Sequence, residues 1–181
     1  MMDKTPAYSH PFRRANLAQR KPTRFALTPD AQALAEIARA LGLTGITRAS
    51  FRGQIKPLGR ADFALEALLE ATVVQPCVAT LAPVTTVIRE PVSRRYLADW
   101  KEPEAEESET PDDDSAEPLG EVIDAGAVMV EALVLALPLY PRAAGVSAGE
   151  AVAAPPGAKP LTDAALRPFA GLADLLKKKT D

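Results

Sequence analysis

This chain of 181 residues has almost no histidine or cysteine, one of each, His10 and Cys77. General acid–base and nucleophilic catalysis ordinarily need such side chains or paired carboxylates held together, and a tetrahedral zinc site needs four ligands. The inventory supplies neither. One cysteine also excludes an internal disulfide. No uncharged apolar run reaches the roughly 18 residues of a membrane-spanning helix, and no GxGxxG, P-loop or GxSxG pattern occurs. Aromatic residues are only 5% of the chain, against 17 prolines, so the core is expected to be smaller than the chain. The basic N-terminal stretch lacks an apolar segment and does not read as a secretory signal. These absences point to a cytoplasmic non-enzyme with no cofactor, metal or membrane. His10 reads as a surface residue near a terminus, and Cys77 as a buried thiol at a strand junction.

The most conspicuous positive feature is a division of charge. The formal charge of -3 conceals 15 basic and 8 acidic side chains in residues 1–101, net +7, and 6 basic and 16 acidic in residues 102–181, net -10. Nine of the acids lie between Glu102 and Glu117 in a Pro-containing run without large apolar residues. Such a segment buries too little surface to offset its ordering entropy, so 102–118 reads as a disordered acidic loop. A sharper alternative is an internal nucleic-acid mimic folding back on the basic half. The expected organisation is a basic N-terminal arm over 1–23, a core domain over 24–142 that includes the acidic loop, an Ala/Pro/Gly linker over 143–160, and a helical tail over 161–181.

Within the core, Arg24 to Leu27 reads as a short strand. Thr28-Pro29-Asp30 reads as a helix start, with Thr28 as cap and Pro29 first in the helix. Ala31, Leu34, Ile37, Ala38 and Leu41 follow at helical spacing, and Gly42 is the stop. From Arg48 to Lys56 apolar Ala49, Phe51, Gly53 and Ile55 alternate with polar residues, as in a half-buried strand. Asp62 to Val73 alternates as well, although its Ala, Leu and Glu content also suits a helix. As a hairpin, charge pairing predicts opposed residue numbers summing to 118, with Lys56 on Asp62, Arg52 on Glu66 and Arg48 on Glu70. Ala82 to Trp100 reads as a long strand, bent at Pro91 or lying at an edge. Glu121 to Ile123 suits a short strand, and Asp124 caps a helix running to Leu137. The fold class is therefore α+β, an antiparallel sheet of three or more strands packed on two helices.

Candidate phosphate contacts are Arg13, Arg14, Arg20, Lys21 and Arg24 near the N-terminus, and Arg89, Arg94 and Arg95 on the third long strand. Arg48, Arg52 and Lys56 form a further stripe, discounted because the facing carboxylates explain them structurally. Aromatic interleaving of the kind that stacks single-stranded RNA is weak, limited to Tyr96 and Trp100.

Two stretches carry a family resemblance. Gly120 to Arg142 contains Ile123-Asp124, a helix, Leu135-Ala136-Leu137-Pro138 and Pro141-Arg142, while Cys77 to Val84 reads CVATLAPV. Together with the terminal Pro168-Phe169-Ala170 and Leu172, they resemble the YceD family, the large ribosomal RNA subunit accumulation proteins. The family's Cys-x-x-Cys has Thr80 at its second cysteine here, so no thiol-pair or metal role carries over. The resemblance implies a bacterial-type, non-enzymatic factor supporting accumulation of large-subunit (23S) ribosomal RNA in ribosome biogenesis. Its implied partner is that RNA, bound through a basic face, or ribosomal proteins and processing factors. The alternative is an adaptor for a ribosomal protein or RNA-processing enzyme without RNA contact.

Overall fold

The computed structural model describes residues 6–100 and 116–146. Of the two units into which the chain divides, the first, residues 1–144, holds every element named here. The expected linker beyond 146 and the helical tail over 161–181 lie outside the described residues.

Strands β2 (Thr23–Leu27), β3 (Gly45–Leu58), β4 (Asp62–Pro76), β5 (Pro83–Leu97) and β6 (Ala116–Pro118) form one sheet in the order β2-β3-β4-β5-β6. All neighbours are antiparallel except β5 and β6. A second, two-stranded sheet joins β1 (Pro11–Arg13) to β7 (Val122–Asp124). Helices α1 (Ala31–Ala40) and α2 (Ala125–Ala136) complete an α+β fold.

Alternation decides which face of the large sheet meets the helices. Leu27, Ala49, Phe51, Ile55, Phe63, Leu65, Leu69, Ile88, Val92 and Tyr96 are buried on one side, with Ile37 of α1 and Met129 and Leu133 of α2 in the same core. The rings of Phe12, Phe25 and Phe51 run from β1 into this core, with centroids 5.7 and 5.6 Å apart. The small sheet and both helices thus cover the same face. The segment Asp62 to Val73, open between helix and strand in the sequence, is strand: pairing with neighbours on both sides outweighs the helix propensity of Ala, Leu and Glu.

Three expectations are corrected. Asp30, not Thr28, caps α1: its Oδ1 accepts the Ala33 N–H at 2.8 Å, so Pro29 precedes the cap instead of entering the helix. An Asp caps at least as well as a Thr and its charge complements the helix dipole. The hairpin register is displaced by two residues. From Arg48 to Leu58 opposed numbers sum to 120, because Pro57 and Leu58 stay in β3 and the chain reverses over Gly59-Arg60-Ala61, with Gly59 at φ +67°. Pro57 lies beyond the last β2–β3 pair, Thr23–Ile55, so its missing N–H costs that ladder nothing. A two-residue displacement keeps every side chain on its face while changing every partner. Finally, the last three residues of the expected acidic loop form β6; its remainder, 102–115, lies outside the described residues.

β5 passes through Pro91, opposite Leu68, without a break. Only Arg95 to Leu97 pair with β6, so Pro91 lies on a stretch of β5 that has no second neighbour among the described residues.

Candidate nucleic-acid interface

The observed register sorts the basic side chains by face. Opposed residues share a side of the sheet. On the side away from the core, one row is Arg24–Gln54–Glu66–Ser93, the next is Ala26–Arg52–Leu68–Pro91, and beyond them lie Ser50–Glu70–Arg89 and Arg48–Thr72–Val87. Lys56, Ala64 and Arg95 make a further row toward the opposite end. This outer face therefore carries Arg24, Arg48, Arg52, Lys56, Arg89 and Arg95 against Asp62, Glu66 and Glu70, six cations to three carboxylates.

Two of the three carboxylates meet a cation. Lys56 pairs with Glu66, and the hydrogen bond from its ammonium holds the Glu66 carboxyl below the usual range. Arg89 stands 3.8 Å from Glu70 with 72% of its side chain exposed, a weak contact. Arg24, Arg48 and Arg52 are exposed and form no ion pair among the described residues. In the register expected from charge pairing, Arg48 on Glu70 and Arg52 on Glu66 would explain the β3 stripe structurally. In the actual register Arg48 faces Thr72 and Arg52 faces Leu68, which removes that explanation for both guanidinium groups. The missed signal was the tight turn at Gly59, which fixes the register more strongly than surface charge pairs of roughly 0.2–1 kcal/mol.

Arg94 and Arg95, adjacent in sequence, point to opposite sides. Arg94 faces the core side, where its Nε lies 3.2 Å from Glu117 of β6 and its Nη2 2.6 Å from Glu131 of α2. Only 18% of its side chain is exposed, so it serves as a joint between β5, β6 and α2. Burial pushes the Glu117 carboxyl up, with Arg94 opposing the shift. Tyr96 is buried on the same side, its hydroxyl pushed well up by burial and by Glu117, and offers no ring for stacking. None of the outward positions of β2 to β5 is aromatic.

Of the remaining candidates, Arg13 and Arg14 belong to the other layer. Arg13 ends β1 and Arg14 opens the short 3-10 turn after it; both line a surface groove of about 910 Å³ with Leu17, Leu119, Glu121 and Val122. Arg20 and Lys21 are exposed in the connection to β2. The stretch read as an arm is anchored from Ser9 onward. The His10 N–H donates to Asp124 Oδ1 at 2.7 Å, the Ser9 hydroxyl to Oδ2 at 2.6 Å, and the His10 carbonyl accepts the Ala125 N–H at 3.1 Å. The eight candidates therefore form no single patch; Arg24, Arg89 and Arg95 share a face with the β3 stripe, and Arg13, Arg14 and Arg94 do not.

Cys77 is buried at the end of β4. Its sulfur accepts the Ala143 N–H at 3.4 Å, and the Thr80 hydroxyl, with backbone N–H groups of Ala143 and Ala79, lowers the thiol to about 6. Among the described residues no group of three or more His, Cys, Asp or Glu side chains converges as a metal site would require, and no helix is long and apolar enough to cross a membrane.

A family model described as the large ribosomal RNA subunit accumulation protein YceD matches residues 65–176, from within β4 through α2 and beyond. The cations of β2 and β3 precede the matched stretch; Arg89, Arg94 and Arg95 lie inside it. No curated protein and no solved structure matches the chain.

Proposed function

The chain belongs to the YceD family, the large ribosomal RNA subunit accumulation proteins, and from that premise we propose that it is a cytoplasmic, non-enzymatic factor that holds large-subunit ribosomal RNA on the outer face of its sheet. The observation that carries this reading is the trio Arg24, Arg48 and Arg52, exposed on one face and unneutralised among the described residues. Clustering like charges costs folding stability, and a polyanion recovers it by releasing counterions from its phosphates. Arg89, Arg95 and Lys56 extend the same face. Arg94, committed to Glu117 and Glu131, is left out of the proposed contact, and Arg13, Arg14, Arg20 and Lys21 contribute only long-range attraction.

The test is binding of a large-subunit ribosomal RNA fragment by the full chain across a salt series. Reversing Arg48 and Arg52 to Glu should weaken binding and flatten the dependence of log affinity on log salt by about one per lost phosphate contact. Wild-type affinity and slope in that variant would remove the site.

An adaptor role has its own supporting observation: Leu135, Leu139 and Tyr140, at and beyond the end of α2, are each at least 74% exposed. Crosslinking in cells with RNA recovery separates the two. No RNA recovered from the wild-type chain, together with a co-purifying protein, favours the adaptor.

A further inference from the structure

Resting on the RNA reading above, we propose that the outer sheet face takes double-stranded RNA, gripping the phosphates of a helix without reading its bases. Three features of the face carry this. First, surfaces that hold single-stranded RNA on a sheet use aromatic rings as stacking platforms, worth roughly 1–3 kcal/mol per base. Here Phe25, Phe51, Phe63 and Tyr96 all turn to the core side, and the outward positions of β2 to β5 have no ring. An unpaired strand would find charge but no stacking, and would lose its conformational freedom for phosphate contacts alone.

Second, the cations are spread over a plane instead of following a line. Arg48, Arg52 and Lys56 recur every four residues of β3, so the first and last are about 27 Å apart at strand rise. Arg24 is diagonal to both Arg52 and Lys56, at about 7–8 Å. Arg89 stands two strands from β3, about 10 Å away. A single backbone passing along β3 leaves Arg89 unused. A duplex presents two backbones and engages both sides of the face at once.

Third, several of the positions among the cations are small or flat, Ala26, Ser50, Pro91 and Ser93, beside the longer Gln54, Glu66, Leu68 and Glu70. The small positions let a rigid helical surface approach the sheet. Duplex RNA is recognised mostly through shape, phosphates and 2′-hydroxyls, which suits such a surface.

Fluorescence anisotropy at low salt, with the full chain, a blunt RNA duplex of about 16 base pairs and its separated, unstructured strands, tests the proposal. The duplex should bind at least about tenfold tighter than either strand, and a second duplex of unrelated sequence within about twofold of the first. Arg24→Glu and the Arg48→Glu/Arg52→Glu pair should each reduce duplex affinity and its salt slope; these lie on different strands, so a folding defect in one, seen by circular dichroism, leaves the other informative. Equal or tighter binding of a single strand, or a marked preference for one duplex sequence, overturns the duplex inference and leaves the RNA reading standing. Failure to bind any of the RNAs overturns both.

Discussion

Asp124 and His10 lie 114 positions apart in the chain, yet the Asp124 Oδ1 accepts the His10 N–H at 2.7 Å. The same oxygen accepts the N–H groups of Gly126 and Ala127 at 2.9 and 3.1 Å, so one carboxylate caps α2 and fastens the N-terminal segment to it. The chain thereby closes the β1–β7 pair over the core at Phe12 and Ile123.

Asp124→Ala should remove both functions. The lost cap is worth about 1 kcal/mol, and a backbone hydrogen bond to a charged acceptor about 1.5–3 kcal/mol, so destabilisation of about 2–4 kcal/mol is expected in urea unfolding. A loss under about 1 kcal/mol would mean that the cap alone matters. Amide exchange at Arg14, whose N–H donates to the Glu121 carbonyl, should accelerate in the variant.

Gly126→Ala sets two effects of opposite sign against each other. Alanine gains about 0.8–1.0 kcal/mol of helix propensity. A Cβ there, however, would stand 2.6 Å from His10 N and 2.7 Å from the Ser9 carbonyl carbon, backbone atoms that cannot move without opening the β1 contact. Overpacking costs about 1–3 kcal/mol, so net destabilisation is expected. A raised melting temperature would show that the N-terminal segment yields freely.

Arg94→Ala is expected to affect stability and not RNA affinity. The guanidinium bridges Glu117 and Glu131 while mostly shielded, so its removal should cost about 1–3 kcal/mol and loosen β6. At a temperature where the variant is folded, its RNA affinity should remain within about twofold of wild type, because the side chain is on the core side. A large loss of affinity with unchanged stability would reverse the assignment.

Cys77 should titrate well below an ordinary thiol, at about 6, because the Thr80 hydroxyl and nearby N–H groups favour the thiolate. The sign follows from linkage: a group whose folded value is depressed stabilises the fold above its unfolded value and loses that contribution as pH falls through the folded one. Wild type should therefore gain stability relative to Cys77→Ala between about pH 6 and 8.5. Thiolate ultraviolet absorbance against pH checks the titration, and Thr80→Val should move it upward. An ordinary titration in wild type contradicts the arrangement.

Local pattern went far in this chain. Period-two alternation of apolar and polar residues located β3 and β5, and the step from Ile123 to Asp124 marked the end of β7 and the cap of α2. Propensity could not decide Asp62 to Val73, since Ala, Leu and Glu favour helix and only neighbours on both sides make the segment a central strand. The N-terminal stretch was hardest. β1 has three residues and makes sense only once β7, more than a hundred positions later, lies beside it.

From its own residues the chain determined which side chains of each strand face inward, because alternation is fixed by backbone geometry and hydrophobic burial. It also determined that the basic charge gathers in the first half. What tertiary structure alone decided is which charges meet: the turn at Gly59 displaces the hairpin by two residues, detaching Arg48 and Arg52 from the carboxylates expected opposite them, and the packing of α2 and β6 on β5 commits Arg94 to the interior. Facing direction is a property of one strand, whereas partnership depends on the placement of two, and that is set by turns and long-range packing.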